Sequence, residues 1–147
     1  MYQKARKAKK NTVHAKQEEI LSWYYYAKGF EKRVDDILSI CRNNKRADDL
    51  ARIQVYDDIW DCLSGVSREN FRKQTQRAYK IYKLFDGIGI EKIKRVKSYS
   101  ANGISKLTNP QIQHIITILV RCQLVFSFIS IFWEICFFNF FKNYEIM

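Results

Sequence analysis

Between Ile20 and Cys41, apolar residues return every three or four positions: Ile20, Leu21, Tyr24, Ala27, Phe30, Val34, Ile37, Leu38 and Cys41. That spacing is the repeat of an α-helix with one buried face, and it predicts a helix over 13–42. Gly29 weakens its middle by about 1 kcal/mol relative to alanine. No segment of the chain alternates apolar and polar residues as a half-buried strand does. One proline and five glycines in 147 residues leave little for the tight turns of a β-sandwich. The fold class expected is all-α: a compact basic helical bundle of one domain, followed by a C-terminal apolar helix.

The remaining helices follow from breakers and caps. Asn43-Asn44-Lys45 is a turn, and 46–64 reads as a second helix with Leu50, Ile53, Ile59, Trp60 and Leu63 facing inward. Ser67 is placed to cap a third helix over 68–85, because its hydroxyl can accept from a free first-turn amide. Phe71, Ala78, Ile81, Tyr82 and Phe85 form the apolar seam of that helix, and Asp86-Gly87 is expected to stop it, with Gly87 as a left-handed cap. A short basic helix is expected over 90–98. Thr108-Asn109-Pro110 opens the next one, with Pro110 in the first turn, where its missing amide does no harm.

Charge narrows the function classes. The formal net charge is +11, and all of the excess lies in residues 1–114, which hold 24 Lys/Arg against 13 Asp/Glu. A basic domain of this kind attracts polyanions such as nucleic acid or an anionic membrane surface. Residues 1–12, with Lys4, Arg6, Lys7, Lys9 and Lys10, read as a disordered basic arm of nuclear-import or nucleic-acid-binding type, ahead of a helical domain over 13–114. The four cysteines, Cys41, Cys62, Cys122 and Cys136, show no short-spaced ligand pair, so neither a structural zinc site nor any other cofactor is expected. Cys41 and Cys62 read as small, reduced core residues.

The run Ile115 to Phe141 contains seven polar residues in 27. Its window Cys122 to Phe141 is 20 residues long, which suits a hydrocarbon core of about 30 Å. Glu134 inside that window costs about 2.5–3.5 kcal/mol, offset by about 0.3–0.6 for each Phe, Ile, Leu or Val. The expectation is a single-pass membrane helix over 115–141, inserted at 122–141, with a short tail 142–147 and the basic domain in the cytosol. Without the anchor, the expected location is nuclear or cytoplasmic.

Two binding motifs stand out. Trp60 to Lys80 orders a helix, a glycine turn at Gly65 and a basic helix, in the manner of a helix-turn-helix. Its phosphate- or base-contacting candidates are Arg68, Arg72, Lys73, Arg77 and Lys80, since guanidinium groups fit guanine edges and phosphates. Leu84 to Ile116 contains Gly87-Ile88-Gly89, which looks like half of a helix-hairpin-helix, with Lys92, Lys94 and Arg95 adding positive charge. Asp57-Asp58-Ile59-Trp60-Asp61 matches a magnesium-diphosphate pattern, but no second acidic motif follows, and a solvated acidic face is expected. No Ser, Cys or His arrangement suggests nucleophilic catalysis. The reading is therefore non-enzymatic: a basic module whose favoured partner is DNA, with a C-terminal anchor. The alternative is a membrane-tethered protein-interaction module without a nucleic-acid role.

Particular stretches also carry a family resemblance. They are Ser22-Trp23-Tyr24-Tyr25-Tyr26-Ala27-Lys28-Gly29-Phe30-Glu31-Lys32-Arg33, Arg72 to Ala78 with Ile81 to Phe85, Ile88 to Ile93, Tyr99 to Asn102, and Leu107 to Gln113. Together they resemble an uncharacterised, lineage-expanded fungal family, that of the arbuscular mycorrhizal fungi, over about residues 20–116. The resemblance implies no activity, cofactor or functional residue. Residues 118–147 depart from the polar tail with which that family ends.

Overall fold

The structure, a computed structural model, describes residues 2–40 and 46–125, with side chains from 11–40 and 46–121. All the regular structure among these residues is helical. Five α-helices, α1 (Tyr2–Ile40), α2 (Ala47–Asp61), α3 (Arg68–Ile88), α4 (Ala101–Ser105) and α5 (Asn109–Val125), are joined by a 3-10 helix at Ile90–Arg95 between α3 and α4.

Helix α1 starts at Tyr2, well before the residue-13 start predicted by the apolar repeat. Residues 2–12 carry no apolar stripe but are rich in Ala, Lys, Arg and Gln, which favour helix intrinsically and extend one that packing has already nucleated. The arm is therefore helical rather than disordered. Gly29 causes no break; it lies on the exposed side with open space around it. The inward stripe is the expected one, with Ile20, Tyr24, Ala27, Phe30 and Val34 all buried.

Helix α3 is the axis of the bundle. It packs against α1, α4, α5 and the 3-10 helix, and it buries Phe71, Ala78, Ile81, Leu84, Phe85 and Ile88. Burying its Phe, Ile and Leu side chains contributes about 1.5–3 kcal/mol each. Its first turn is capped as expected, with the Ser67 hydroxyl accepting from the Asn70 amide at 3.3 Å.

The end of α3 differs from expectation. Gly87 is helical, and the cap is Gly89, with φ 100° and ψ 130°. Gly87 has a different reason to be small: a Cβ there would lie 2.7 Å from Ile116 Cδ1, so it is where α5 crosses α3. The basic helix expected over 90–98 is the shorter 3-10 segment, ended by the extended Val96. Gln17 of α1 fastens that segment, donating from one amide nitrogen to the carbonyls of Lys94 and Val96, both at 2.9 Å.

Helix α2 turns a different face inward. Ala51 and Val55 are buried, whereas Leu50 and Ile53 are more than half exposed and Leu63 is exposed as well. The helix carries apolar residues all round, so its pattern selects no face. The small Ala51 and Val55 let α1 approach closely, and Phe30, Val34, Ala51 and Val55 make a second core cluster. Cys62 caps the end of α2 and is exposed rather than buried; Cys41 lies outside the described residues.

Thr108 and Gln111 start α5 as a reciprocal capping box. The Thr108 amide donates to Gln111 Oε1 at 2.7 Å and the Gln111 amide to Thr108 Oγ1 at 3.4 Å. Ile112, Ile115 and Leu119 enter the main core, so the first part of the apolar run belongs to the bundle. Tyr26 meets Thr75 and Tyr24 meets Tyr82, so α1 is antiparallel to α3. Asn109 shares a cleft with Gln76 and Lys80 while Ile116 abuts Gly87, so α5 runs parallel to α3. The amino end of α1 and the carboxyl end of α5 thus share one end of the bundle. No helix among the described residues is long and apolar enough to cross a membrane, and most of the 122–141 window lies outside those residues.

Candidate nucleic-acid interface

Helices α2 and α3 follow one another across a turn at Gly65, with φ 80°. The two helices meet through rings: Tyr56 and Trp60 lie 4.6 and 5.9 Å from Phe71. The Tyr56 hydroxyl donates to the Arg68 carbonyl at 3.0 Å. Burial raises the Tyr56 phenol above its ordinary value, so it stays a donor.

The candidate cations of α3 divide by environment. Arg68 pairs with Asp57, the first carboxylate of the acidic run. Lys73 pairs with Glu69 one turn away at 2.6 Å. Arg72 and Arg77 are exposed. Arg77 lies along a groove that also contains Glu19, Trp23 and Asn102. Lys80 is half-buried and donates to the Ser105 carbonyl at 3.1 Å, tying α3 to the end of α4. Of the five residues named for this element, three thus have protein partners.

The second set follows the other end of α3, about 30 Å along the helix from Arg68 but only about 12 Å from Lys80. Lys94 and Arg95 are exposed. The Lys92 side chain is only 13 % exposed and its ammonium lies 3.5 Å from Glu91. The hairpin cradle expected at Gly87-Ile88-Gly89 does not form. Gly87 is helical, and the Gly89 amide donates to Phe85 O at 2.9 Å, which closes the helix and leaves that amide unavailable to a phosphate.

Sequence reasoning missed a cleft of about 580 Å³ between α1, α2, α3 and the start of α5. Arg52 of α2 stands at its edge. Its guanidinium donates to both Glu31 oxygens at 2.6 and 3.0 Å and to Asp48 Oδ2 at 3.0 Å, and the Glu31 hydrogen bonds raise its pKa further. The same group lies 5.9 Å from the centre of the Tyr79 ring. The lining of the cleft, which includes Asn109, comes from four different helices, so no local motif marks it.

Compared with known proteins, the chain matches no family model, no curated protein and no solved structure.

Proposed function

We propose that this protein is a non-enzymatic, basic helical module that binds a polyanion, with DNA the favoured partner. The observation that carries the reading is the segregation of charge along the bundle. Between Tyr2 and Lys16, α1 carries six Lys/Arg and no acidic residue. Gln17 fastens the segment with Lys92, Lys94 and Arg95 beside that stretch. Helix α2, by contrast, holds Asp48, Asp49, Asp57, Asp58 and Asp61 against the single Arg52. In helix-turn-helix docking the first helix crosses the phosphate backbone, where these carboxylates would be repelled. The basic end, with Lys94 and Arg95, therefore leads, and Arg72, Lys73 and Arg77 of α3 form a second contact set.

The test is a salt titration of duplex DNA binding with two charge-reversal variants. Each phosphate contact adds about 0.9 to the magnitude of the log–log salt slope. Reversing Lys94 and Arg95 should reduce the slope by about two and weaken binding more than reversing Arg72, Lys73 and Arg77. Binding and slope unchanged in both variants would defeat the reading.

The direction of α5 favours a second reading, a C-terminal anchor. Val125 lies at the end of the bundle that also holds the amino end of α1. Insertion of Cys122 to Phe141 would set that basic end against the headgroups, where each Lys or Arg gains about 1 kcal/mol at an anionic surface. Such a chain resists alkaline carbonate extraction from membranes; release into the supernatant refutes the anchor. In the tethered module without a nucleic-acid role, membrane retention persists while duplex DNA binding is absent.

A further inference from the structure

We infer that the cleft between α1, α2, α3 and the start of α5 is a nucleotide site, which takes a planar base against Tyr79 and its phosphate near Lys80. The site is separate from the basic end. For a free nucleotide the inference stands alone; for a base within a strand it rests on the nucleic-acid reading.

The platform is Tyr79, whose side of the cleft is open: the residue is 39% exposed. Its ring is braced, with the Tyr82 ring 6.2 Å away and the Arg52 guanidinium 5.9 Å away. Arg52 is itself fixed by two carboxylates, so the ring and cation are organised before a ligand arrives. Phe30 supplies an apolar wall. Exposed faces of this kind accept bases, because every base has a π-face.

The polar groups suit a nucleotide. Gln76 and Asn109 line the cleft and are exposed, and each amide offers both a donor and an acceptor. The hydrogen-bonding edge of a base presents the same mixture. Lys80 uses one proton on Ser105 and has two more to give. Glu31 and Asp48 offset Arg52, so Lys80 is the lining cation that would meet a phosphate. Its volume, about 580 Å³, falls in the range of small-molecule sites, about 300–1,000 Å³.

The experiment titrates the full chain with nucleoside monophosphates, with the matching nucleosides, and with single-stranded oligo(dT) and oligo(dA), monitored by calorimetry. Monophosphates should bind more tightly than nucleosides, and Lys80→Met should remove that difference. Tyr79→Leu should weaken binding about tenfold or more, while Tyr79→Phe, which keeps the ring, should retain it. Saturable monophosphate binding that follows this pattern identifies a free-nucleotide site. Binding of the strands alone, with the same response to Tyr79→Leu, identifies a strand-base site. No saturable binding of either, or binding indifferent to Tyr79→Leu, overturns the inference. Duplex binding that responds to reversal at Lys94 and Arg95 but not to Tyr79→Leu would leave the DNA reading standing while this one falls.

Discussion

Replacing Gly87 with alanine tests how α3 and α5 cross. The added Cβ would stand 2.7, 2.9 and 3.0 Å from Cδ1, Cγ1 and Cγ2 of Ile116. Ordinary carbon contacts are about 3.5–4.0 Å. Isoleucine in a helix has one strongly preferred χ1, so its two γ carbons cannot both swing away. The overlap should cost about 1–3 kcal/mol, against a gain of about 1 kcal/mol from replacing glycine inside a helix. Gly87→Ala alone should therefore cost roughly 0–2 kcal/mol. In an Ile116→Ala background the overlap is gone and the same change should stabilise by about 1 kcal/mol. Urea unfolding followed by circular dichroism on the four proteins of the cycle gives the coupling, expected at about 1–3 kcal/mol. Gly89→Ala is the control. Its φ of 100° is what strains a side chain there, and the atoms nearest to the new Cβ are those at the free end of Glu91. It should cost about 1–3 kcal/mol whatever stands at 116. Additivity of Gly87→Ala and Ile116→Ala within about 0.5 kcal/mol would refute the crossing argument.

Other consequences are open to measurement. Arg52→Leu strips Glu31, 17 % exposed, of its bidentate partner and should cost about 1–2 kcal/mol in urea unfolding, allowing for the partial exposure of the pair. Thr108→Ala removes one half of the α5 capping box and should cost about 1 kcal/mol, and an unchanged unfolding midpoint would show that the box contributes nothing. Burial first, and then the Asp86 carboxylate, hold the Tyr24 and Tyr82 phenols above their ordinary value of 10.0. The fold favours their neutral form, so this stability is complete below pH 10.0 and is lost as pH rises through the raised values. Tyr24→Phe should flatten that alkaline decline, and a decline equally steep in the variant would rule Tyr24 out as its source.

How much of this could be read from the chain depended on how clearly one face of each helix differed from the rest. On α1 the stripe Ile20, Tyr24, Ala27, Phe30 and Val34 was legible because charged residues fill the other faces. The Ser67 cap was legible because its mechanism is local and needs no tertiary contact. Helix α2 was not, since apolar residues surround it and only the approach of α1 selects Ala51 and Val55 over Leu50 and Ile53. The glycines were exchanged for a similar reason: the crossing with Ile116 that keeps Gly87 helical is a long-range contact. Within the candidate interface, the positions of Arg68 and Lys80 were legible but their engagement by Asp57 and Ser105 was not. The cleft at Tyr79 joins residues distant in sequence, and no spacing rule detects such a set.

The role proposed for the segregated positive charge of this bundle is polyanion binding. It is tested most directly by measuring the affinity of the full chain for duplex DNA as a function of salt. Four or five phosphate contacts predict a log–log slope of about −4, reduced when Lys94 and Arg95 are reversed. A slope near zero, or binding that persists unchanged after that reversal, would contradict it.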